Sequence, residues 1–136
     1  MSNVQLLRGN IAWPGVEEMV TPYLRKALAE ADGEKDWGLT QILDLLRAGH
    51  WGLYGVVHDG RLIGAGTTCI QHYGKRSVLE IVMFAADINS EAWRETLSAM
   101  KEEAKLLGCK AIQGTGRPGW ARYLDATPIY KFEIEV

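Results

Sequence analysis

The apolar positions of this chain change their spacing several times, and each spacing predicts a different element. From Gly15 to Ala31 the residues Val16, Val20, Leu24, Ala27 and Ala31 recur at intervals of three or four, which predicts a helix with one buried stripe. Pro22 falls inside it and either kinks the helix or restarts it with Thr21 as N-cap, and Asp32-Gly33 ends it. A second helix is expected from Leu39 to Ala48, with Leu39, Ile42, Leu43 and Leu46 on one face and Gly49 as the left-handed terminator. A third runs from Asn89 or Ser90, either of which can cap it, through Trp93, Leu97, Met100, Ala104 and Leu107 to a stop at Gly108.

Between the second and third helices the pattern becomes that of strands. Trp51 to His58 and Arg61 to Tyr73 are β-rich runs joined by Asp59-Gly60, a pair that favours the type I′ turn of an antiparallel hairpin. Gly74-Lys75 marks another turn into Ser77 to Ala86, which is apolar on both faces apart from Glu80, as a central strand covered on both sides should be. Val4 to Leu7 can begin the sheet, Cys109 to Gln113 reads as a short strand, and a short helix is expected around Pro118 to Leu124. Thr127 to Val136 alternates Ile129, Lys131, Glu133 and Glu135 with Tyr130, Phe132, Ile134 and Val136 and is expected to form a last strand.

Composition narrows the classes of function. At 136 residues, 47% hydrophobic, the chain is expected to form a single domain over 1–136 that needs no disulfide or metal to hold its core. No apolar run approaches the roughly 18 residues of a membrane span, and Met1 to Asn10 lacks the apolar stretch of a secretory signal, so a soluble protein that is not exported is expected. With 15 Lys+Arg against 17 Asp+Glu the chain has no basic surplus, which disfavours a nucleic-acid partner. Cys69 and Cys109 lie far apart with no second metal ligand near them, and both read as small buried apolar residues.

Few residues carry chemistry. Gly114-Thr115-Gly116-Arg117-Pro118-Gly119 matches the G-x-G-x-x-G dinucleotide pattern, but the remaining chain is too short for the βαβ unit of about 30 residues that gives the pattern its meaning. A turn that reorients the chain is the better reading, with Arg117 and Arg122 flanking it without an assigned role. Cys69 and His72 are three apart on one strand, so they point to opposite faces and cannot form a nucleophile-base dyad. His50 and His58 have no carboxylate at metal-binding spacing, and the five tryptophans are spread over separate elements. Glu80 stands out: it is expected to share a strand face with Val78, Val82 and Phe84, and burial of a carboxylate among apolar neighbours favours uptake of a proton and suits a general base.

This order of elements resembles the fold of the GNAT N-acetyltransferase family over essentially the whole chain. The resemblance implies an α/β (α+β) fold with a mixed, mostly antiparallel central sheet of about six strands and helices on both faces. In that family the central strand splays from its neighbour to admit acetyl-CoA. Glu80 falls on the strand where many members keep a general base, and Gly116 to Tyr123 is similar to the family's N-x-x-A-x-x-x-Y stretch, which implies Tyr123 as general acid. Phe84, Ala85, Ala86, Asn89 and Ser90 would line the cofactor.

The family also places R/Q-x-x-G-x-G/A between the central strand and the long helix, where backbone N–H groups cradle a pyrophosphate. Here that connection is Ala86-Asp87-Ile88-Asn89-Ser90, without glycine or arginine and with Asp87 and Glu91 adding negative charge. Together with the segment Gly-Arg-Pro-Gly-Trp-Ala-Arg-Tyr-Leu, this pattern resembles the degenerate GNAT-like proteins encoded among virion genes of tailed bacteriophages. That resemblance implies a non-catalytic protein without cofactor, acting in virion structure or assembly through contacts with other virion proteins or with its own copies, in the virion or the host cytoplasm. The alternative it leaves is an acetyl-CoA-dependent N-acetyltransferase with an atypical cofactor loop.

Overall fold

The computed structural model describes residues 4–30, 33–87, 90–115, 124–129 and 133–136. Its elements run β1 (Val4–Gly9), α1 (Val16–Glu30), α2 (Gly33–Asp36), α3 (Leu39–Arg47), β2 (Gly52–His58), β3 (Arg61–His72), β4 (Ser77–Ala86), α4 (Ser90–Leu106) and β5 (Ala111–Gly114). The five strands lie in the sheet in chain order. The first four pair antiparallel, and β5 returns through α4 to lie parallel to β4.

The turns follow the residues expected of them. Asp59 and Gly60 both have positive φ, 51° and 79°, which the type I′ geometry requires and Asp-Gly tolerates. Helix α1 is continuous through Pro22, so the alternative of a restart at Thr21 does not hold. The Thr21 hydroxyl instead donates to the Glu17 carbonyl at 2.6 Å, one turn back in the same helix.

Two cores form, one on each face of the sheet. Val20, Leu24, Ala27 and Leu28 of α1 and Ile42 and Leu46 of α3 pack with Leu53, Ala65, Met83 and Ala85. On the opposite face, Met100 and Ala104 of α4 pack with Leu79 and Cys109, flanked by Leu6, Ile81, Leu107 and Ile112. The buried stripe of α4 is Ala92, Thr96, Met100 and Ala104. Trp93 and Leu97, expected at its centre, lie half-buried along its side. Arg8 of the edge strand β1 forms an ion pair with Glu103 of α4, clipping edge to helix, and burial followed by the charge of Glu103 pushes the neighbouring Tyr54 phenol up.

The last expected strand is not found among the described residues of Thr127 to Val136. Pro128 has no N–H for a ladder, and Ile129 and Ile134 are 64% and 76% exposed. Among the described residues the sheet has five strands where about six were expected. The expected helix from Pro118 to Leu124 lies outside the described residues except for Leu124, which is in a turn.

Candidate functional site

The site begins with an irregularity in β4. Along β3, Thr68 faces Ile81 and Thr67 faces Met83, so Val82 is an extra residue on β4 with no counterpart across the ladder. Such a bulge reverses the alternation of side chains beyond it. Leu79 and Ile81 point to α4, whereas Met83 and Ala85 point to α1 and α3, although all four positions are odd-numbered.

The bulge also marks where β4 and β5 part. Their parallel pairing runs from Val78↔Ala111 to Ile81↔Gly114 and ends there, while β4 continues to Ala86 paired with β3. Among the described residues, Val82 to Ala86 therefore have a strand on one side only. Gly64 and Gly66 of β3 let this half of β4 lie close: a Cβ on Gly66 would stand 2.6 Å from the Met83 carbonyl oxygen, and one on Gly64 would collide with the Ala86 Cβ.

Glu80 sits one residue before the paired section ends, opposite Cys69. Its carboxylate Oε2 accepts a hydrogen bond from Gln71 Nε2 at 2.9 Å and is 3.7 Å from the Cys69 thiol, while Gln71 also reaches the Cys69 sulfur at 3.5 Å. This company differs from the expected one. The bulge turns Phe84 to the other face, where its ring lies 4.9 Å from that of Trp93, and leaves Glu80 among polar groups. Val82 remains on the side of α1, packed against that core.

Cys69 is thus half-buried and in contact with a carboxylate, whereas Cys109 is buried in the second core as expected. Burial, and then the charge of Glu80, push the Cys69 thiol up, so it is a poor nucleophile near neutral pH. Alkylation by iodoacetamide followed by mass spectrometry should be slower at Cys69 than at a free thiol at pH 8. It should accelerate in Glu80→Gln, where the opposing charge is gone; unchanged kinetics would show that the carboxylate does not act on the thiol.

His72 shares a 2.7 Å hydrogen bond with Ser77 on the neighbouring strand and does not meet Cys69. His50 is exposed, and His58 lies 3.5 Å from Asp59. Among the described residues, no group of three or more His, Cys, Asp or Glu side chains could hold a metal ion, and no helix is long and apolar enough to cross a membrane.

At the far end of β4, the Asp87 N–H donates to the Ile63 carbonyl at 2.7 Å, and its carboxylate meets Lys26 of α1 at 3.2 Å. A shallow groove of about 390 Å³ lies there, lined by Met19, Pro22, Tyr23, Lys26, Leu62 and Asp87. Of the candidate cofactor residues, Phe84, Ala85 and Ala86 form the end of β4, and Ser90 is the first residue of α4. Asn89 and Tyr123 lie outside the described residues, as do Arg117 and Arg122.

Sequence reasoning missed Gln71, Lys26 and the bulge. Gln71 could have been found from the hairpin register, which places it two residues beyond the partner of Glu80 on the same face. Lys26 meets Asp87 across 61 residues of chain and leaves no local signal.

This architecture, with its parting central strands, is the fold of the GNAT acetyltransferases. A GNAT family acetyltransferase from Staphylococcus aureus superposes with a TM-score of 0.68 at 15% identity, covering 100% of both chains. An aminoglycoside acetyltransferase from an uncultured soil metagenomic sample, in complex with sisomicin, gives 0.64 at 12% identity over 98% of this chain and 96% of that one. An aminoglycoside N-acetyltransferase in complex with CoA gives 0.59 at 17% identity over 100% and 95%. No protein-family model matches the sequence, and no curated protein matches it.

Proposed function

We propose that this chain is an acyl-CoA-dependent N-acetyltransferase whose cofactor lies against the unpaired edge of β4. The observation that carries this reading is the end of the β4–β5 pairing at Ile81↔Gly114 while β4 continues to Ala86. A strand open on one side presents main-chain donors and acceptors, and the amide groups of a pantetheine arm can pair with them as an added strand does. The residues present fit such a group: Phe84, Ala85 and Ala86 supply the edge, and the start of α4 at Ser90 favours negative charge.

When bound, acetyl-CoA supplies the acyl group as a thioester. Glu80, oriented by Gln71, takes up the proton that the acceptor amine gives up, through an intervening water. The general-acid role stays with Tyr123, as the family resemblance implies.

The sequence of the connection after β4 favours a second reading. Without glycine or arginine, and with Asp87 in place, it resembles the non-catalytic members, which act through protein contacts. The likenesses to known structures add no support for the virion role within that reading, and they favour the enzyme.

Isothermal titration with acetyl-CoA tests both. One site of micromolar affinity is expected, followed by acetyl transfer to some member of a broad panel of amines. Absence of binding at millimolar acetyl-CoA would overturn the enzyme reading and leave the second.

A further inference from the structure

We propose that Lys26, on α1, supplies the positive charge for the diphosphate of acyl-CoA that the connection after β4 lacks, by exchanging Asp87 for phosphate oxygens. The proposal rests on the acyl-CoA reading above.

Asp87 is held at the end of β4 by its backbone N–H bond to the Ile63 carbonyl, in the connection that leads to α4. A carboxylate there would repel phosphate. Lys26 brings its ammonium to 3.2 Å from that carboxylate and cancels the repulsion. The two side chains are 44% and 70% exposed, and an exposed pair of this kind is weak. A diphosphate carries more charge and more acceptor oxygens than one carboxylate, so it competes well for the same ammonium.

The groove beside the pair has apolar walls in Met19, Pro22, Tyr23 and Leu62. Tyr23 donates its hydroxyl to the Leu62 carbonyl at 3.1 Å, which holds the ring as a fixed wall. Met19, 55% exposed, offers an adaptable apolar surface beside it for the uncharged groups next to the phosphates.

Calorimetric titrations of CoA, and of pantetheine, which has no phosphate, distinguish this role from a merely structural pair. Lys26→Ala is expected to weaken CoA binding about tenfold and to leave pantetheine unchanged. Asp87→Asn, which removes the competing charge, should tighten CoA severalfold. Lys35→Ala removes the same charge from another exposed pair, with Glu133, and should change neither. A loss in Lys26→Ala no larger than in Lys35→Ala, an equal loss for both ligands, or weaker CoA binding in Asp87→Asn would overturn the assignment. Wild-type protein that binds neither ligand would overturn the acyl-CoA reading itself, an outcome distinct from the failure of Lys26 alone.

Discussion

On the proposed acetyltransferase reading, Glu80→Gln protein is expected to transfer acetyl groups about a hundredfold more slowly than wild type while binding acetyl-CoA with nearly unchanged affinity. The substitution keeps the shape of the side chain and an oxygen that can still accept the hydrogen bond from Gln71, so the strand pair is preserved and only the capacity to take a proton is lost. The measurement is kcat with the best acceptor of the amine panel, set beside the Kd from calorimetry. A kcat within threefold of wild type would remove Glu80 from the reaction. A parallel fall in affinity would mean that the carboxylate shapes the cofactor edge and does not act as a base.

The second large effect concerns folding. Gly66→Val should destabilise the protein by about 3 kcal/mol, because its Cβ meets the Met83 carbonyl oxygen and the Phe84 ring, and backbone on a paired strand cannot withdraw cheaply. Thermal unfolding would register this as a fall in Tm of roughly 10 °C. Gly74→Ala, at a turn position where a Cβ has nothing within 4 Å, is the control and should stay within about 0.5 kcal/mol of wild type. If Gly66→Val unfolds with the wild-type Tm, the close approach of β3 to the outer half of β4 is not needed for the fold.

Much of this architecture can be read from the chain because its signals are local. Asp59-Gly60 states its turn type through the conformations those residues tolerate, and Gly49 ends α3 at a φ of 76° as a left-handed terminator should. Glu80 was legible as the one charge on an otherwise apolar strand. Its neighbours were not, because Ile81 to Ala86 are all apolar: a one-residue slip changes no polarity, so the sequence carries no mark of the bulge at Val82. The expected neighbour Phe84 was lost for that reason, and Gln71 and Cys69 took its place. The terminal segment failed in the opposite way, because its alternation of apolar and charged residues is real but Pro128 and the exposure of Ile129 and Ile134 leave no described ladder to use it. The acidity after β4 was legible as a charge, and its partner Lys26 was not, because only the tertiary fold brings α1 to that place.

The bulge also has a mechanical meaning. Before Val82 the strand is gripped by one helical layer through Leu79 and Ile81, and after it by the other through Met83 and Ala85, so β4 works as an axle whose two ends sit in different bearings. A molecule seated where the grip changes hands would brace both layers at once, and its binding would be felt as stiffening of the whole protein.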